Sequence, residues 1–351
     1  MVHVGRRVTI YDVAREAGVA TSTVSRAYAR PGRVHTDTAQ KVFEAAKRLG
    51  YRSNRLGIQQ PDGLAARDAI ALVITDVTNP FYGEIIRGAY EAAREAGYRL
   101  ILSHTNESPE EERRTIELEL SHVDGLVIAS SRMTDSALRM IAKQRPVVLL
   151  NRILPEASCL VSDNQRGMRR AIEHVGALGH ERITYLAGPE ISWSDGTRWR
   201  ALREAATELE LDVRRIGPNE PTVLAGLGAA RRVAQIDATA VLAYNDALAI
   251  GVLKGLHKLG IAVPDEISVV GFDDIMFDDV IEPALTTVAT PLYRMGLGGV
   301  RKCIALTHGV DPSSTPVVLP VRLVVRQSTA HRRPRRPPAA PVTTRAHGWL
   351  G

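Results

Sequence analysis

The chain has 351 residues, of which 44% are hydrophobic and 24% charged, and its formal net charge is +6. This composition is typical of a soluble globular protein with two or three domains. No apolar run approaches the ~18 residues of a membrane span, and the N-terminus lacks the apolar segment of a signal peptide. The two cysteines belong to no metal-type cluster. The sequence therefore predicts a cytoplasmic protein with no cofactor, no metal site and no membrane partner.

The basic charge is concentrated at the two ends of the chain. Residues 1–60 contain eleven Lys or Arg and four Asp or Glu. Five Arg and no acid follow His331, and the middle of the chain carries an excess of acids. A basic head on an acidic body is typical of a nucleic-acid-binding segment attached to a separate regulatory part.

Residues 8–28, VTIYDVAREAGVATSTVSRAY, predict a helix, a tight turn and a second helix. Thr9 and Asp12 have the spacing of a capping box, and Gly18 suits the positive φ that ends a helix. A third amphipathic helix, Thr36–Leu49, can close a small core over the first two. The pattern predicts an all-α helix-turn-helix head, and an ordinary αα-hairpin with a glycine turn is the alternative.

A recognition helix presents base-reading side chains near its N-terminus. Arg26 can bind a guanine edge in a bidentate way, whereas Thr21 and Ser22 can contact a base edge or a thymine methyl group. Residues after the third helix can reach phosphates or the minor groove. The candidate DNA-binding residues are Thr9, Tyr11, Thr21, Ser22, Thr23, Ser25, Arg26, Arg33, Thr38, Tyr51, Asn54, Arg55 and Leu56.

The head, together with KVFEAAKRLGYRSNRL, resembles the lactose-repressor (LacI/GalR) family of bacterial transcriptional regulators. The resemblance implies a DNA-binding domain at residues 1–52 and a hinge at 53–67, from which a leucine wedges into the minor groove. In this chain Gln60 stands at the wedge position, and Gly57 weakens a helix by about 1 kcal/mol relative to Ala. The hinge is therefore expected to be shorter or less ordered, or to use Leu56 or Ile58 as its wedge.

From Ala69 onwards, apolar runs of strand length alternate with amphipathic helices in two successive series. The alternation predicts an α/β body of parallel sheets covered by helices. The resemblance implies a periplasmic-binding-protein-like body of two Rossmann-like lobes, at 68–163 plus 291–320 and at 164–290 plus 321–329. The predicted strands are 70–74, 100–102, 126–129, 147–150, 183–187, 213–216, 241–243 and 267–271, and the predicted helices are 82–96, 109–120, 134–143, 165–178, 197–209, 222–234, 246–258 and 292–306.

Ligands of open parallel sheets bind beyond the carboxyl ends of the strands. Polar groups there can bond hydroxyls in pairs, while Trp193 or Phe81 can cover the apolar face of a sugar. The resemblance adds an effector contact at Arg198 and an effector ligand at Asp273, whereas Asn245 taken alone suits a helix cap equally well. The candidate effector-binding residues are Asp76, Asn79, Phe81, Tyr82, Ser130, Asn151, Arg152, Trp193, Arg198, Asn245 and Asp273.

Together these features predict a transcriptional regulator, a repressor that binds a pseudo-palindromic, double-stranded operator as a homodimer. A small-molecule effector, a sugar or sugar derivative bound between the two lobes, would modulate it. An enzyme is disfavoured because dinucleotide, phosphate-loop, nucleophile-elbow and metal spacings are missing. A sugar-binding protein without DNA function and a nucleoside- or purine-responsive regulator are the alternatives. Residues 330–351, rich in Arg and Pro, are predicted to form a disordered basic tail.

Overall fold

The computed structural model describes residues 8–29, 34–49, 68–310, 312 and 315–332. The hinge at 53–67 and residues 333–351 of the tail lie outside these ranges, so their predictions stay predictions. The same holds for five candidate DNA-binding residues, which are Arg33, Tyr51, Asn54, Arg55 and Leu56.

The head folds into the three predicted helices, which are α1 (Ile10–Ala17), α2 (Thr21–Ala29) and α3 (Thr36–Leu49). Val13, Val24 and Val42, one from each helix, are fully buried. Alanines from the same helices surround them and let the short helices approach closely. The small core confirms the helix-turn-helix reading of the sequence pattern.

Both ends of α1 are fixed by local interactions. The Asp12 carboxylate accepts hydrogen bonds from the Thr9 backbone N–H at 2.8 Å and from the Thr9 hydroxyl at 2.7 Å. This is the reciprocal half of a capping box. Gly18 ends the helix with a φ of 65°, a conformation that a residue without a Cβ adopts at little cost. The chain thereby turns sharply into α2.

The body consists of strands and helices that alternate as predicted. Its elements in chain order are β1 (Ala69–Ile74), α4 (Phe81–Glu95), β2 (Arg99–His104), α5 (Pro109–Glu119), β3 (Gly125–Ala129), α6 (Asp135–Ala142), β4 (Val147–Leu150), β5 (Ser158–Ser162), α7 (Asn164–Ala177), β6 (Arg182–Leu186), α8 (Trp193–Glu208), β7 (Asp212–Ile216), α9 (Val223–Gln235), β8 (Ala240–Ala243), α10 (Asp246–Lys258), β9 (Ser268–Asp273), β10 (Thr286–Ala289), α11 (Leu292–Thr307), β11 (Val317–Leu319) and β12 (Arg322–Val324).

The chain divides into two compact units. The first takes the residues up to Asn164 together with Ile191–Thr197 and Thr290–Val321, and the second takes Gln165–Glu190, Arg198–Ala289 and the residues from Arg322. The first sheet has the strand order β11-β5-β4-β3-β1-β2 and the second β12-β10-β9-β8-β6-β7. All pairs are parallel except β10 with β12, which are antiparallel. The chain therefore builds the same parallel architecture twice.

Strand β1 shows how the first sheet is buried on both faces. Ile70, Leu72 and Ile74 pack in a core that includes α4 and α11 residues. Ala71 and Val73 point to the opposite face, into a core that includes α5 and α6 residues. Side chains of a strand alternate between faces, so a strand covered by helices on both sides must be apolar throughout. The continuous apolar run of β1 follows from this double burial.

Each unit contains one helix pair that crosses through glycine. A Cβ added at Gly296 of α11 would lie 2.0 Å from the Ile85 carbonyl oxygen of α4. A Cβ added at Gly226 of α9 would lie 2.2 Å from the Leu248 carbonyl oxygen of α10. Real Cβ atoms do not approach a backbone oxygen this closely, so both crossings require glycine, which has no Cβ.

Three features of the body differ from the sequence predictions. Strands β5, β10, β11 and β12 were not predicted, although β5 and β10 are fully buried. Helix α8 begins at Trp193, four residues before the predicted start at 197. Residues 330–332 were assigned to the disordered tail, but the Ala330 N–H donates to the Ser268 hydroxyl and the Arg332 N–H donates to the Leu178 carbonyl. These backbone bonds attach the segment to the second unit.

Candidate functional site

Helix α2 presents a polar face with one arginine. Ser22, Ser25 and Arg26 are exposed, whereas Val24 and Ala27 are buried in the head core. The remaining candidates Thr21 and Thr23 are half-buried near the start of the helix. The apolar residues therefore anchor α2 while its hydroxyl and guanidinium groups face solvent, as a base-reading helix requires.

The start of α1 and helix α3 add further polar side chains to the head. Thr9 is exposed, Tyr11 is 67% exposed and Thr38 is half-buried. Lys41 and Lys47 of α3 are also exposed and add positive charge. The exposed hydroxyls and ammonium groups can bind phosphates, which position a protein on the duplex.

In the first unit, the turn after β1 uses its polar side chains internally. The Asp76 carboxylate accepts hydrogen bonds from the Thr78 N–H and hydroxyl, both at 2.8 Å. The Asn79 side-chain oxygen accepts the Phe81 N–H at 3.1 Å. Such side-chain bonds to nearby backbone stabilise turns. Asp76 and Asn79 therefore shape the β1–α4 connection, whatever else they bind.

Phe81 and Tyr82 belong to the hydrophobic core of the first unit and are 7% and 2% exposed. Their rings meet edge to face with centroids 4.9 Å apart. The Tyr82 hydroxyl and the Thr75 hydroxyl are 2.8 Å apart. Burial raises the pKa of Tyr82 far above its usual value, so the phenol stays neutral. The two rings therefore anchor the start of α4, just after the β1–α4 turn, in the core.

Ser130 and Asn151 stand directly after β3 and β4, and both adopt the left-handed conformation with φ of 55°. The Ser130 N–H donates to the Leu150 carbonyl at 2.8 Å, and the Asn151 N–H donates to the Leu160 carbonyl at 2.9 Å. Both residues are buried. Backbone bonds to the neighbouring strands thus fix two strained strand ends, as is common at binding sites.

Arg152 is bound within its own unit. Its guanidinium donates to the Ser131 carbonyl at 3.0 Å, to the Met133 carbonyl at 2.6 Å and to the Asp135 carboxylate at 2.6 Å. The group is buried. Arg152 therefore fastens the β3–α6 loop, and these contacts engage both terminal nitrogens of its guanidinium group.

A second buried arginine in this loop was not predicted. The Arg132 side chain donates to the Glu107 carboxylate at 2.6 Å, and its backbone N–H donates to the Glu112 carboxylate at 2.7 Å. Burial raises the pKa of Glu112. In the sequence these charges stand in ordinary polar loops and helix ends, so no periodic signal distinguishes them from solvated residues.

The second unit holds the most distinctive cluster. The Arg198 guanidinium carbon lies 3.6 Å from the centroid of the Phe272 ring and 5.0 Å from that of Tyr244. One guanidinium nitrogen donates to the Tyr244 carbonyl, and the other lies 3.5 Å from the Asp273 carboxylate. Arg198 and Asp273 are each 4% exposed. The cluster joins a cation, a carboxyl group and two aromatic faces.

Asp273 ends β9 in an unusual backbone conformation, with φ of 131°. Burial raises the pKa of its carboxyl group, and the neighbouring Arg198 opposes that rise. The Asp273 side chain can therefore form hydrogen bonds with hydroxyl groups of a ligand in a site of low net charge. Sequence reasoning selected this residue by its place at a strand end, and the resemblance gave it the role of effector ligand.

The last two effector candidates have local structural roles. Asn245 caps α10: its side-chain oxygen accepts the Leu248 N–H at 3.0 Å, and its amide donates to the Pro221 carbonyl at 3.3 Å. Trp193 was placed in a loop, but it opens α8 and is half-buried. Its hydrogen-bonded neighbour in the same turn, Thr197, donates to the Trp193 carbonyl at 3.0 Å.

Asp246 follows the same strand end as Asn245, but sequence reasoning left it out of the effector-binding set. The Asp246 carboxylate accepts hydrogen bonds from the Asp274 N–H at 2.6 Å, the Ile275 N–H at 3.2 Å and the Thr287 hydroxyl at 2.6 Å. It is fully buried. Asp246 therefore touches the segment that follows Asp273. An Asp in the first turn of a helix is so common that the sequence gives no hint of this role.

Among the described residues, no helix is both long enough and apolar enough to cross a membrane. No group of three or more His, Cys, Asp or Glu in the described part of the chain is arranged to hold a metal ion.

Two family descriptions match the sequence. Residues 9–54 match the bacterial regulatory proteins of the lacI family, and residues 172–329 match the periplasmic binding protein-like domain. The HTH-type transcriptional regulator DegA of Bacillus subtilis (strain 168) is 32% identical over 336 residues. That alignment covers 92% of this chain and 98% of the relative.

Two solved structures resemble nearly the whole chain. The complex of the transcriptional regulator CelR with cellobiose has a TM-score of 0.68 at 30% identity and covers 92% of this chain and 100% of the other. The lac repressor dimer bound to operator and the anti-inducer ONPF has a TM-score of 0.68 at 26% identity, with coverages of 93% and 100%. The chain is thus a DNA-binding transcriptional regulator, and it belongs to the lacI family of bacterial regulatory proteins.

Proposed function

We propose that this regulator is a repressor, that it binds a pseudo-palindromic operator as a homodimer, and that a neutral sugar bound at the Arg198–Asp273 cluster changes its affinity for DNA. The observation that carries the effector class is the pairing of guanidinium and carboxyl groups in one buried site.

The chemistry of the cluster favours an uncharged polyol. Arg198 offers N–H donors, and Asp273 offers oxygen acceptors beside them. Neighbouring hydroxyls of a sugar can accept from one and donate to the other. An anionic effector would meet the Asp273 carboxyl group and a cationic effector would meet Arg198, so either would leave a buried charge poorly compensated. The bound cellobiose of CelR supports the same ligand class.

The head supports specific DNA binding by two copies of the chain. One recognition helix reads only a few base pairs, and dimers place two helices in successive major grooves. The resemblance to the operator-bound lac repressor dimer supports this assembly.

Effector control requires a difference in affinity between two states of the regulator. A sugar can shift operator binding only if it binds one conformation more tightly than the other. The same coupling free energy must appear when the order of binding is reversed. For a repressor that is released by its effector, operator DNA would therefore weaken sugar binding.

Fluorescence anisotropy of the full chain on labelled duplexes from its own upstream region tests the proposal. We expect salt-sensitive binding to a palindromic fragment, and a change in that binding with one member of a neutral sugar panel that includes cellobiose and D-ribose. Operator binding that responds to a nucleoside but to no sugar would contradict the effector class. Failure to prefer any palindromic fragment over scrambled duplexes would contradict the operator assignment.

Arg26→Ala examines the recognition helix directly. Loss of a bidentate base contact costs about 1–3 kcal/mol, so specific affinity should fall by about 5- to 150-fold. Arg94→Ala is the control, because it removes the same charge from an exposed position in the body. Both variants should remain dimers by sedimentation. Equal operator selectivity in the two variants would refute the assignment of α2 as the reading helix.

A further inference from the structure

The turn that follows β9 is strained at two consecutive positions. Asp273 has φ of 131° and Asp274 has φ of 66°. Neither residue is glycine, and such conformations cost of order 1–3 kcal/mol each unless their surroundings impose them. The turn sets the direction of the Asp273 side chain, which lies beside Arg198. Some other group must therefore hold the backbone from 273 to 275 in place.

Asp246 supplies that support from the start of α10. Its carboxylate accepts the N–H groups of Asp274 and Ile275, at 2.6 Å and 3.2 Å, and the Thr287 hydroxyl at 2.6 Å. The neighbouring strand leaves room for the carboxylate only because residue 271 is glycine: a Cβ there would lie 1.9 Å from the Asp246 Oδ1. Three elements thus converge on one buried carboxyl group.

A second carboxyl group completes this arrangement. Asp278 is fully buried, and among the described residues no donor reaches either of its side-chain oxygens. The Asp246 carboxyl group lies beside it and is the charged group that most raises its pKa. Two carboxylates can only accept, so a hydrogen bond between them needs a proton on one of the two groups. A protonated Asp278 would donate to Asp246 and satisfy both residues.

The surrounding charges agree with a single proton on the pair. Burial and the charge of Asp246 raise the pKa of Asp278 to about 10. The charged groups that face it are Asp274 and Arg326, and Arg326 is itself paired with Asp274 at 2.7 Å and with Asp279. Arg326 is thus engaged with two other carboxylates. Two carboxyl groups in contact do not both ionise easily in a buried site, because their negative charges repel.

We propose that Asp278 and Asp246 share one proton and act as a positioning pair for the effector site. The pair holds the strained turn after β9, and that turn directs the Asp273 side chain towards Arg198. The role of Asp273 as an effector ligand rests on the function proposed above. The support of the turn by the pair does not, and it can be tested without any ligand.

The pair makes folding of the second unit depend on pH. In the unfolded chain Asp278 ionises around its ordinary value of 3.8, and in the folded chain it keeps its proton up to about 10. Folding therefore takes up one proton between these values. The stabilisation is complete below the pKa of Asp278 in the unfolded chain and is lost as pH rises towards its pKa in the folded chain. Between these two pKa values the unfolding constant increases about tenfold per pH unit.

The first experiment compares the wild type with Asp278→Asn, whose amide donates to Asp246 without a titrating proton. Unfolding of the full chain in urea is followed at pH 5.5, 7.0 and 8.5 by pulsed hydrogen exchange in peptides from β8 and β9. The ratio of wild-type to variant unfolding constants should rise about tenfold per pH unit. A ratio that is constant over this range would overturn the shared proton.

The second experiment measures support of the turn in the native state at pH 7.5. In Asp278→Asn, amide exchange of Asp274 and Ile275 should stay within about threefold of the wild-type rate. In Asp278→Leu, which loses the donor to Asp246, and in Asp246→Asn, which loses a carboxylate acceptor, exchange should be at least about tenfold faster. Operator binding by each variant confirms that the chain is folded. Wild-type exchange rates in Asp278→Leu would overturn the positioning role.

Binding of cellobiose and D-ribose to the same variants then tests whether the turn supports the effector site. If one of them binds the wild type, Asp278→Asn should retain its affinity and Asp278→Leu should lose at least about tenfold, which corresponds to one lost buried hydrogen bond. Equal affinity in both variants would contradict the positioning of Asp273. If neither sugar binds the wild type, the proposed effector class fails, while the exchange measurements still decide the role of the pair.

Discussion

The two units of the body treat their buried arginines differently. Arg152 of the first unit donates to two carbonyls and one carboxylate of a single loop. Arg198 of the second unit lies across the Phe272 ring and beside Asp273. Arg152 follows β4, and Asp273 beside Arg198 ends β9, so both sets of contacts lie where parallel strands end. The strand-end rule selects such regions, whereas the contacts separate a side chain that fastens a loop from one that we propose as a ligand contact.

Arg152→Ala should have the largest effect on stability. A buried carbonyl that loses its donor costs about 1–3 kcal/mol, and Arg152 serves two of them, so the total is about 2–6 kcal/mol. The Asp135 carboxylate is 52% exposed and adds little, because water can solvate it. The free energy of unfolding of the first unit should fall by about that amount, measured by urea-dependent hydrogen exchange of its strands β1 and β3. Exchange in the second unit should change far less, because the contacts of Arg152 lie within the first.

Arg139→Ala is the matched control for this change. Arg139 pairs with Glu156 at 3.1 Å, but 40% of its side chain is exposed. Exposed pairs contribute at most about 1 kcal/mol. Equal loss of stability in the two variants would show that the contacts of Arg152 do not hold its loop, and would return Arg152 to the set of ligand candidates.

Gly226→Ala tests what the two units share, their helix crossings through glycine. The added methyl group meets the Leu248 carbonyl oxygen, and backbone cannot rotate away as a side chain can. Overpacking of this kind costs about 1–3 kcal/mol or more. The second unit should lose about 3 kcal/mol by urea-dependent exchange of β6 and β8. A neutral result would mean that α9 and α10 can separate at little cost.

Asp273→Asn addresses the difference between the units. The amide keeps the shape but not the charge of the carboxyl group, and hydrogen bonds involving charged groups contribute about 1.5–3 kcal/mol. Affinity for the bound sugar should fall by about 10- to 150-fold in calorimetry. Operator binding without sugar should be unchanged. Asp212→Asn, at an exposed position of β7, is the control and should keep full affinity.

The fold was predictable from sequence wherever periodicity and end signals agreed. The three helices of the head and the alternation of strands and helices in the body follow from such signals. Strands β5 and β10 escaped because Ser158–Ser162 and Thr286–Ala289 are short and contain Ser or Thr at their ends. Their burial comes from neighbouring strands on both sides, which a local pattern does not contain.

The candidate site was predictable as a region rather than as a set of contacts. Arg198 and Asp273 lie together as the resemblance implied. Asn245 instead bonds backbone groups, and Phe81 packs in the core. Asp278 gave no signal, because an acid in a polar turn is normally exposed and only the tertiary fold buries it. Partners distant in sequence decide which polar groups remain available to a ligand.

The smallest predicted effect comes from a second glycine on α9. A Cβ at Gly228 would meet no atom within 4 Å, and the residue is exposed. Ala is favoured over Gly inside a helix by about 1 kcal/mol, so Gly228→Ala should stabilise the second unit by up to that amount. Gly226 and Gly228 share one helix and one intrinsic preference, so opposite signs in the two variants would isolate the contact with α10 as the cause. Destabilisation by both would instead indicate that α9 itself resists substitution, and the similarity between the helix crossings of the two units would lose its support.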